Sequence, residues 1–171
     1  MRTSFILLAS VLALAPYSAA AAAQAKTYTD ADEGYALELP SPSWEVIQRR
    51  GGVRRHARFV YRGTGDECRL RVRRELVDRG VTPAALADDE ESELRFLPGY
   101  VENRLEPFAG RLRGAMLAYE YSKGGRQMAG RTYYLQADGR TIYILRFNGP
   151  RKLLADLRGE TDSIARNFRL R

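Results

Sequence analysis

Two short turns about a strand's length apart, Gly124-Gly125 and Asp138-Gly139, constrain the fold of this chain more than any other feature. Both are two-residue sequences of the kind that closes an antiparallel hairpin, because the favoured turns need positive φ at their central positions. Segments 114–123, 126–136 and 140–147 around them alternate as strands do. The chain is therefore expected to double back twice. Gly124-Gly125 as the turn sets Lys123 opposite Arg126, and Asp138-Gly139 sets Ala137 opposite Arg140. One face of this meander then carries Leu117, Tyr119, Tyr121, Met128, Tyr134, Tyr143, Leu145 and Phe147. The other carries Met116, Ala118, Tyr133, Leu135, Ile142 and Ile144. Both faces are apolar, so both must be covered. A one-residue bulge would swap the faces locally.

Other elements are arranged around the meander. Tyr35-Ala36-Leu37-Glu38-Leu39 alternates as a strand, and Pro40-Ser41-Pro42-Ser43 ends it before Trp44. Strands at about 54–62 and 67–75 flank the turn Gly63-Thr64-Gly65-Asp66. Thr82-Pro83 has the form of a helix N-cap followed by an N1 proline, and Pro98-Gly99 stops that helix. Leu153, Leu154, Leu157, Ile164, Ala165 and Phe168 recur at helical spacing, with Gly159 placed to split the helix. The expected fold is α+β, a three-layer α/β/α sandwich around a mainly antiparallel sheet, with one helix region on each face.

The N-terminus addresses compartment. Arg2, the apolar run Phe5–Leu14, Pro16 and small residues ending in Ala23-Gln24-Ala25 follow the order of a secretory signal with an A-x-A cleavage site. The run is shorter than the roughly 20 residues of a membrane span. The expectation is a signal peptide over 1–25 and one domain over 26–171, periplasmic or secreted, with retention of the leader as an anchor the alternative. Cys68 is the only cysteine, so an internal disulfide is excluded. It reads as a buried, inert small hydrophobe. The chain carries a formal net charge of +7. Such charge favours acidic surfaces as partners. Export argues against nucleic acid and for another envelope or secreted protein, or an anionic membrane surface.

Catalytic signatures are absent from the sequence. His56 is the only histidine, and the four-residue turn pairs it with Arg73, on the opposite face from Cys68, which pairs with Tyr61. A Cys–His dyad is thereby excluded. Neither a glycine-rich phosphate loop before a helix nor spaced transition-metal ligands occur. The acidic run Asp88 to Glu93 lacks the alternating oxygen ligands and central glycine of a calcium loop and reads as a solvated helix face. No cofactor and no enzymatic activity are expected.

The basic hairpin is the candidate site. Arg54, His56, Arg58, Arg69, Arg71 and Arg73 fall on one face, with Ala57, Phe59, Tyr61, Leu70 and Val72 on the other. Arg58 is set directly across from Arg71. Two like charges ~5 Å apart in water cost about 0.8 kcal/mol, less in salt. The face is read either as a solvated edge, with Glu67 and Glu75 as counter-charges, or as a surface for an anion or acidic partner. A second group, Glu120, Arg131 and Arg146, is expected to meet across the meander as a structural ion pair.

The order of elements and several core residues resemble the PsbP-like family, in its DcrB-like periplasmic branch. The resemblance spans the mature chain. It rests on Gly34-Tyr35-x-Leu37-x-Leu39-Pro40 before Trp44, on Gly114-x-x-x-Ala118-x-Glu120-Tyr121, on Tyr133-Tyr134, on Tyr143-Ile144-Leu145-Arg146-Phe147, and on a closing helix ending Ile164-x-x-x-Phe168. The family commonly ends in Ser-Phe where this chain has Asn167-Phe168. These are core positions, so the resemblance speaks to fold and brings no catalytic or metal residue with it. It implies a non-enzymatic domain that assists or binds other proteins, often near a membrane; with the signal-like N-terminus the expectation is an exported accessory or binding protein acting through protein–protein contacts near the membrane. The alternative is a peripheral envelope protein binding anionic lipid or glycan through the arginine-rich hairpin.

The signal reading is checked by intact-mass and N-terminal analysis of the protein from its native source. The expected N-terminus lies within a few residues of Lys26, and a predominant form beginning at Met1 would refute cleavage.

Overall fold

The computed structural model of the protein describes residues 25–48, 57–63 and 65–171. The first half of the chain forms β1 (Lys26–Asp30), β2 (Tyr35–Leu39), β3 (Trp44–Gln48), β4 (Ala57–Arg62), β5 (Glu67–Leu76) and α1 (Pro83–Leu94). The second half forms β6 (Val101–Ala109), β7 (Arg113–Lys123), β8 (Arg126–Asp138), β9 (Thr141–Pro150), α2 (Arg151–Asp156), α3 (Arg158–Asn167) and β10 (Arg169–Leu170). Among the described residues, β1, β2 and β10 make a small sheet, and the main sheet runs β3-β4-β5-β9-β8-β7-β6 with antiparallel pairings. The protein is therefore α/β with a mainly antiparallel sheet.

Local chemistry sets these elements. Thr82 caps α1, its hydroxyl accepting from the Ala85 N–H at 3.2 Å, and Pro83 follows as expected. Gly124 and Gly125 adopt φ of 58° and 75°, and Lys123 pairs with Arg126 as the two-residue turn requires. The second turn departs from expectation. Asp138 pairs with Thr141, where Ala137 was expected opposite Arg140, so Gly139-Arg140 forms the tip. The Asp138 carboxylate accepts from the Arg140 N–H at 2.8 Å and holds the turn one position late. That bond also lowers the Asp138 pKa. A register shift between Gln136 and Asp138 follows, leaving Ala137 as the extra residue.

This slip exchanges the faces of β9. Tyr143, Leu145 and Phe147 lie with Met116, Tyr133 and Leu135, and Ile142 and Ile144 lie with Leu117, Tyr119 and Tyr134. The first cluster is completed by Leu154, Leu157, Ile164 and Phe168 of the α2–α3 region and by Leu37 and Leu39 of the small sheet. The second is completed by α1 through Ala87, with Leu86 and Leu94 partly buried. The break between α2 and α3 falls at Leu157, two positions before Gly159. β1, β3, β6 and β10 were not anticipated as strands. β6 is an edge strand bearing Pro107, a residue edges tolerate.

α1 packs over β6, β7 and β8. The same face continues across β5, β4 and β3 without that helix above it, and there the side chains become charged.

Close strand approach yields a stability test. A Cβ at Gly114 would run into the Tyr134 backbone carbonyl of β8, whereas one at Gly139 would meet nothing within 4 Å. Gly114→Ala should lower stability by about 1–3 kcal/mol, as overpacking does. Gly139→Ala should shift it by less than about 0.5 kcal/mol, read from urea midpoints.

Candidate functional site: the arginine face of β4 and β5

The ladder places Arg58 of β4 opposite Arg71 of β5, and Arg71 opposite Arg146 of β9. Three guanidiniums thus stand in one row across three neighbouring strands. Arg69 and Arg73 flank Arg71 on the same side of β5. Arg58, Arg69, Arg71 and Arg73 are all exposed, as the alternation requires. Arg54 and His56 lie outside the described residues.

The acids on this face are distributed unevenly. Arg69 meets Glu67 at 3.1 Å, and Arg73 meets Glu75 at 3.3 Å. Arg62 bridges Glu45 at 2.8 Å and Glu67 at 3.0 Å. Arg146 meets Glu90 of α1, which also accepts the Tyr134 hydroxyl at 2.7 Å. Among the described residues, no carboxylate lies within ion-pair distance of Arg58 or Arg71. Burial, with Arg73 and Arg71 close by, pushes the Arg146 pKa below its ordinary value. Opposed arginines therefore remain at the outer end of the row, while Glu90 neutralises the inner end.

Two sequence expectations need correcting here. Glu120, Arg131 and Arg146 do not meet. The slip in β9 sets Arg131 across from Phe147 and moves Arg146 to the other face. Arg131 instead donates to Asp162 of α3 at 2.9 Å and to the Tyr133 hydroxyl at 2.6 Å, and Tyr133 also donates to Asp162. Glu120 pairs with Arg151 at 2.9 Å. The acidic run of α1 is not uniformly solvated either. Asp88, Asp89 and Glu93 are exposed, but Glu90 holds the sheet and Glu91 is buried and accepts from Arg95 at 2.8 Å. The helical spacing of Ala87, Glu91 and Leu94 is the signal that could have marked Glu91 as inward-facing.

The remaining reactive groups are part of the core. Cys68 pairs with Tyr61 and is fully buried; burial, then Glu160, pushes its thiol up to about 12. Tyr119, Tyr133, Tyr134 and Tyr143 are buried, so they pack rather than offer a stacking platform. Among the described residues, no cluster of three or more His, Cys, Asp or Glu is arranged to hold a metal ion. None of their helices is long and apolar enough to cross a membrane.

No protein-family model matches the chain, and no curated protein matches it by sequence. Solved structures do. LpqN of Mycobacterium tuberculosis, described as involved in cell envelope biogenesis, aligns with TM-score 0.55 at 19% identity, over 85% of this chain and 89% of its own. The cyanobacterial PsbP (CyanoP) of Synechocystis sp. PCC 6803 aligns with TM-score 0.55 at 13% identity, over 92% and 99%. A Pseudomonas aeruginosa protein of unknown function, PA94, described as a putative regulator, aligns with TM-score 0.52 at 16% identity, over 86% and 97%. At such identities the likeness concerns the fold, which is PsbP-like.

The Cys68 environment can be checked chemically. The thiolate is the reactive form, and an ordinary thiol titrates near about 8.5. With the Cys68 thiol raised to about 12, iodoacetamide at pH 8 should modify the folded protein at least about 100-fold more slowly than the protein in urea. The folded-state rate should still be climbing at pH 10, where the unfolded-state rate has levelled. Fast modification of the native protein at neutral pH would contradict this placement.

Proposed function

We propose that this protein is an exported, non-enzymatic accessory protein that acts through protein–protein contacts near the membrane, presenting the Arg58–Arg71 row to an acidic patch on an envelope or secreted protein. In this reading the mature chain, Lys26–Arg171, is one domain whose sheet forms the middle of an α/β/α sandwich. α1 covers one side in part, and α2 and α3 help cover the other. The open half of the α1 side is the docking face.

The observation that carries the reading is the pairing of Arg58 with Arg71 without a carboxylate for either among the described residues, while arginines around them have acids within 3.3 Å. Like charges directly opposite one another are unfavourable in a sheet. An acidic partner would remove the repulsion and receive guanidinium hydrogen bonds in bidentate geometry. Such contacts set orientation and association rate more than affinity. The signal-like N-terminus supports export, and the fold is shared with LpqN, whose description places it in envelope biogenesis.

The test is the double substitution Arg58→Glu/Arg71→Glu. Both side chains are exposed, so the thermal midpoint should stay within a few degrees of wild type. Wild-type protein immobilised on beads should retain an acidic protein from envelope extract, less of it as salt rises. The double variant should retain at least about tenfold less, a loss of about 1.4 kcal/mol. Equal retention by a folded double variant, or salt-sensitive attachment to protein-free anionic vesicles that the double variant loses, would overturn the reading.

A further inference from the structure

One end of the molecule collects an unusual set of side chains. The register brings the β4–β5 turn, the β7–β8 turn and the β9–α2 junction to the same end, since Arg62 pairs with Glu67, Lys123 with Arg126, and Met128 with Pro150. The β4–β5 and β7–β8 turns are joined by Arg126 and Asp66 at 2.6 Å. The α1–β6 turn is held there by the Ser122 N–H donating to the Pro98 carbonyl at 2.7 Å. β1 also starts at this end. Lys26 pairs with Leu39, and Pro40 leads to Ser41, which donates to the Glu160 carboxylate shared with Trp44.

Of the 28 Lys and Arg residues in the chain, only Lys26, Lys123 and Lys152 are lysine. All three are exposed, and all three lie at this end. Phe96, in the turn after α1, is 90% exposed, and Val101 at the start of β6 is 54% exposed. Acids nearby are largely engaged: Asp66 by Arg126, Glu91 by Arg95 and Glu120 by Arg151. Exposed Glu93 opposes the lysines.

We infer that this end rests on an anionic lipid surface, with Phe96 entering the boundary between headgroups and acyl chains and the three lysines reaching lipid phosphates. A single exposed Phe is ordinary on a protein surface. An exposed Phe on a turn and an exposed Val at a strand start, at the end of the molecule that also carries all three of the chain's lysines, are a pattern that a membrane interface explains. Lysine suits this place because its apolar stem can lie along the hydrocarbon boundary while its ammonium stays in water. One aromatic side chain and three cations give weak, reversible attachment. The strands then run away from the membrane, and the Arg58–Arg71 row faces sideways, free for a protein partner. The inference does not depend on that partner.

The experiment uses the exported protein and vesicles of equal parts phosphatidylglycerol and phosphatidylcholine. Wild type should cosediment with them and not with phosphatidylcholine alone. Phe96→Ser should lower the partition by about tenfold or more. Joint replacement of Lys26, Lys123 and Lys152 by Gln should lower it by about fivefold per lysine. In the Phe96→Trp variant the introduced indole should be quenched by brominated acyl chains, while buried Trp44 is not. Arg58→Glu/Arg71→Glu should bind these vesicles as wild type does, which separates this end from the arginine face. Absence of wild-type binding, wild-type partition by Phe96→Ser, or an unquenched indole on vesicle-bound protein would each overturn the inference.

Discussion

A β-sheet with apolar side chains on both faces is stable in water only when both faces are covered, and the rest of this structure follows from how that is done. On one side α2, α3 and the small sheet share the work, burying Leu154, Leu157, Ile164 and Phe168 against Phe147 and Tyr133. On the other, α1 contributes one fully buried apolar residue, Ala87, and is fastened by Glu90 to Tyr134 and Arg146. A helix so sparingly apolar covers what lies under it and no more. Beyond β9 the same face is lined largely with arginine, with Val60 buried among the arginines and Ile47 partly exposed. Glu45, Glu67 and Glu75 answer Arg62, Arg69 and Arg73, but nothing among the described residues answers Arg58 and Arg71. The candidate site is thus the place where the coverage of the sheet ends.

The β4–β5 and β7–β8 registers were legible because each depends on a turn whose length is written in glycine. The β8–β9 register was not, because a side chain decides it. The Asp138 carboxylate takes the Arg140 N–H and moves the tip by one residue. One residue is enough to turn every β9 side chain over. Arg131 and Arg146 consequently part, one to Asp162 on α3 and the other to Glu90 on α1. β3 and β6 escaped notice because edge strands can carry charge and proline where alternation is expected; β6 reads Val-Glu-Asn-Arg-Leu-Glu-Pro-Phe-Ala. Arg58, Arg69, Arg71 and Arg73 were placed correctly because an isolated hairpin suffices to align them. Glu90 was missed because its partners are remote in sequence, and within an acidic run it looks like its neighbours.

The PsbP-like fold shared with LpqN and CyanoP extends over nearly the whole of each chain, yet identities of 13–19% leave function to be argued from surfaces. Two surfaces of this molecule stand out, the arginine row on the sheet face and the end of the strands that carries exposed Phe96 and the three lysines. They lie roughly at right angles. On the two proposals made above, one surface meets a membrane and the other a protein neighbour, and neither use blocks the other.

The central claim is that the open β3–β5 face is where a partner docks. Ile47 sits on that face, opposite Arg58 and 36% exposed, so a photo-cross-linking residue in its place reports on docking without altering an arginine. Ala155, exposed on α2 at the other side of the sheet, is the matched control. Irradiated in intact cells, the Ile47 variant should yield a discrete adduct with an acidic envelope protein, and the Ala155 variant should not. Absence of an adduct at Ile47, or the same adducts from both positions, would contradict the account.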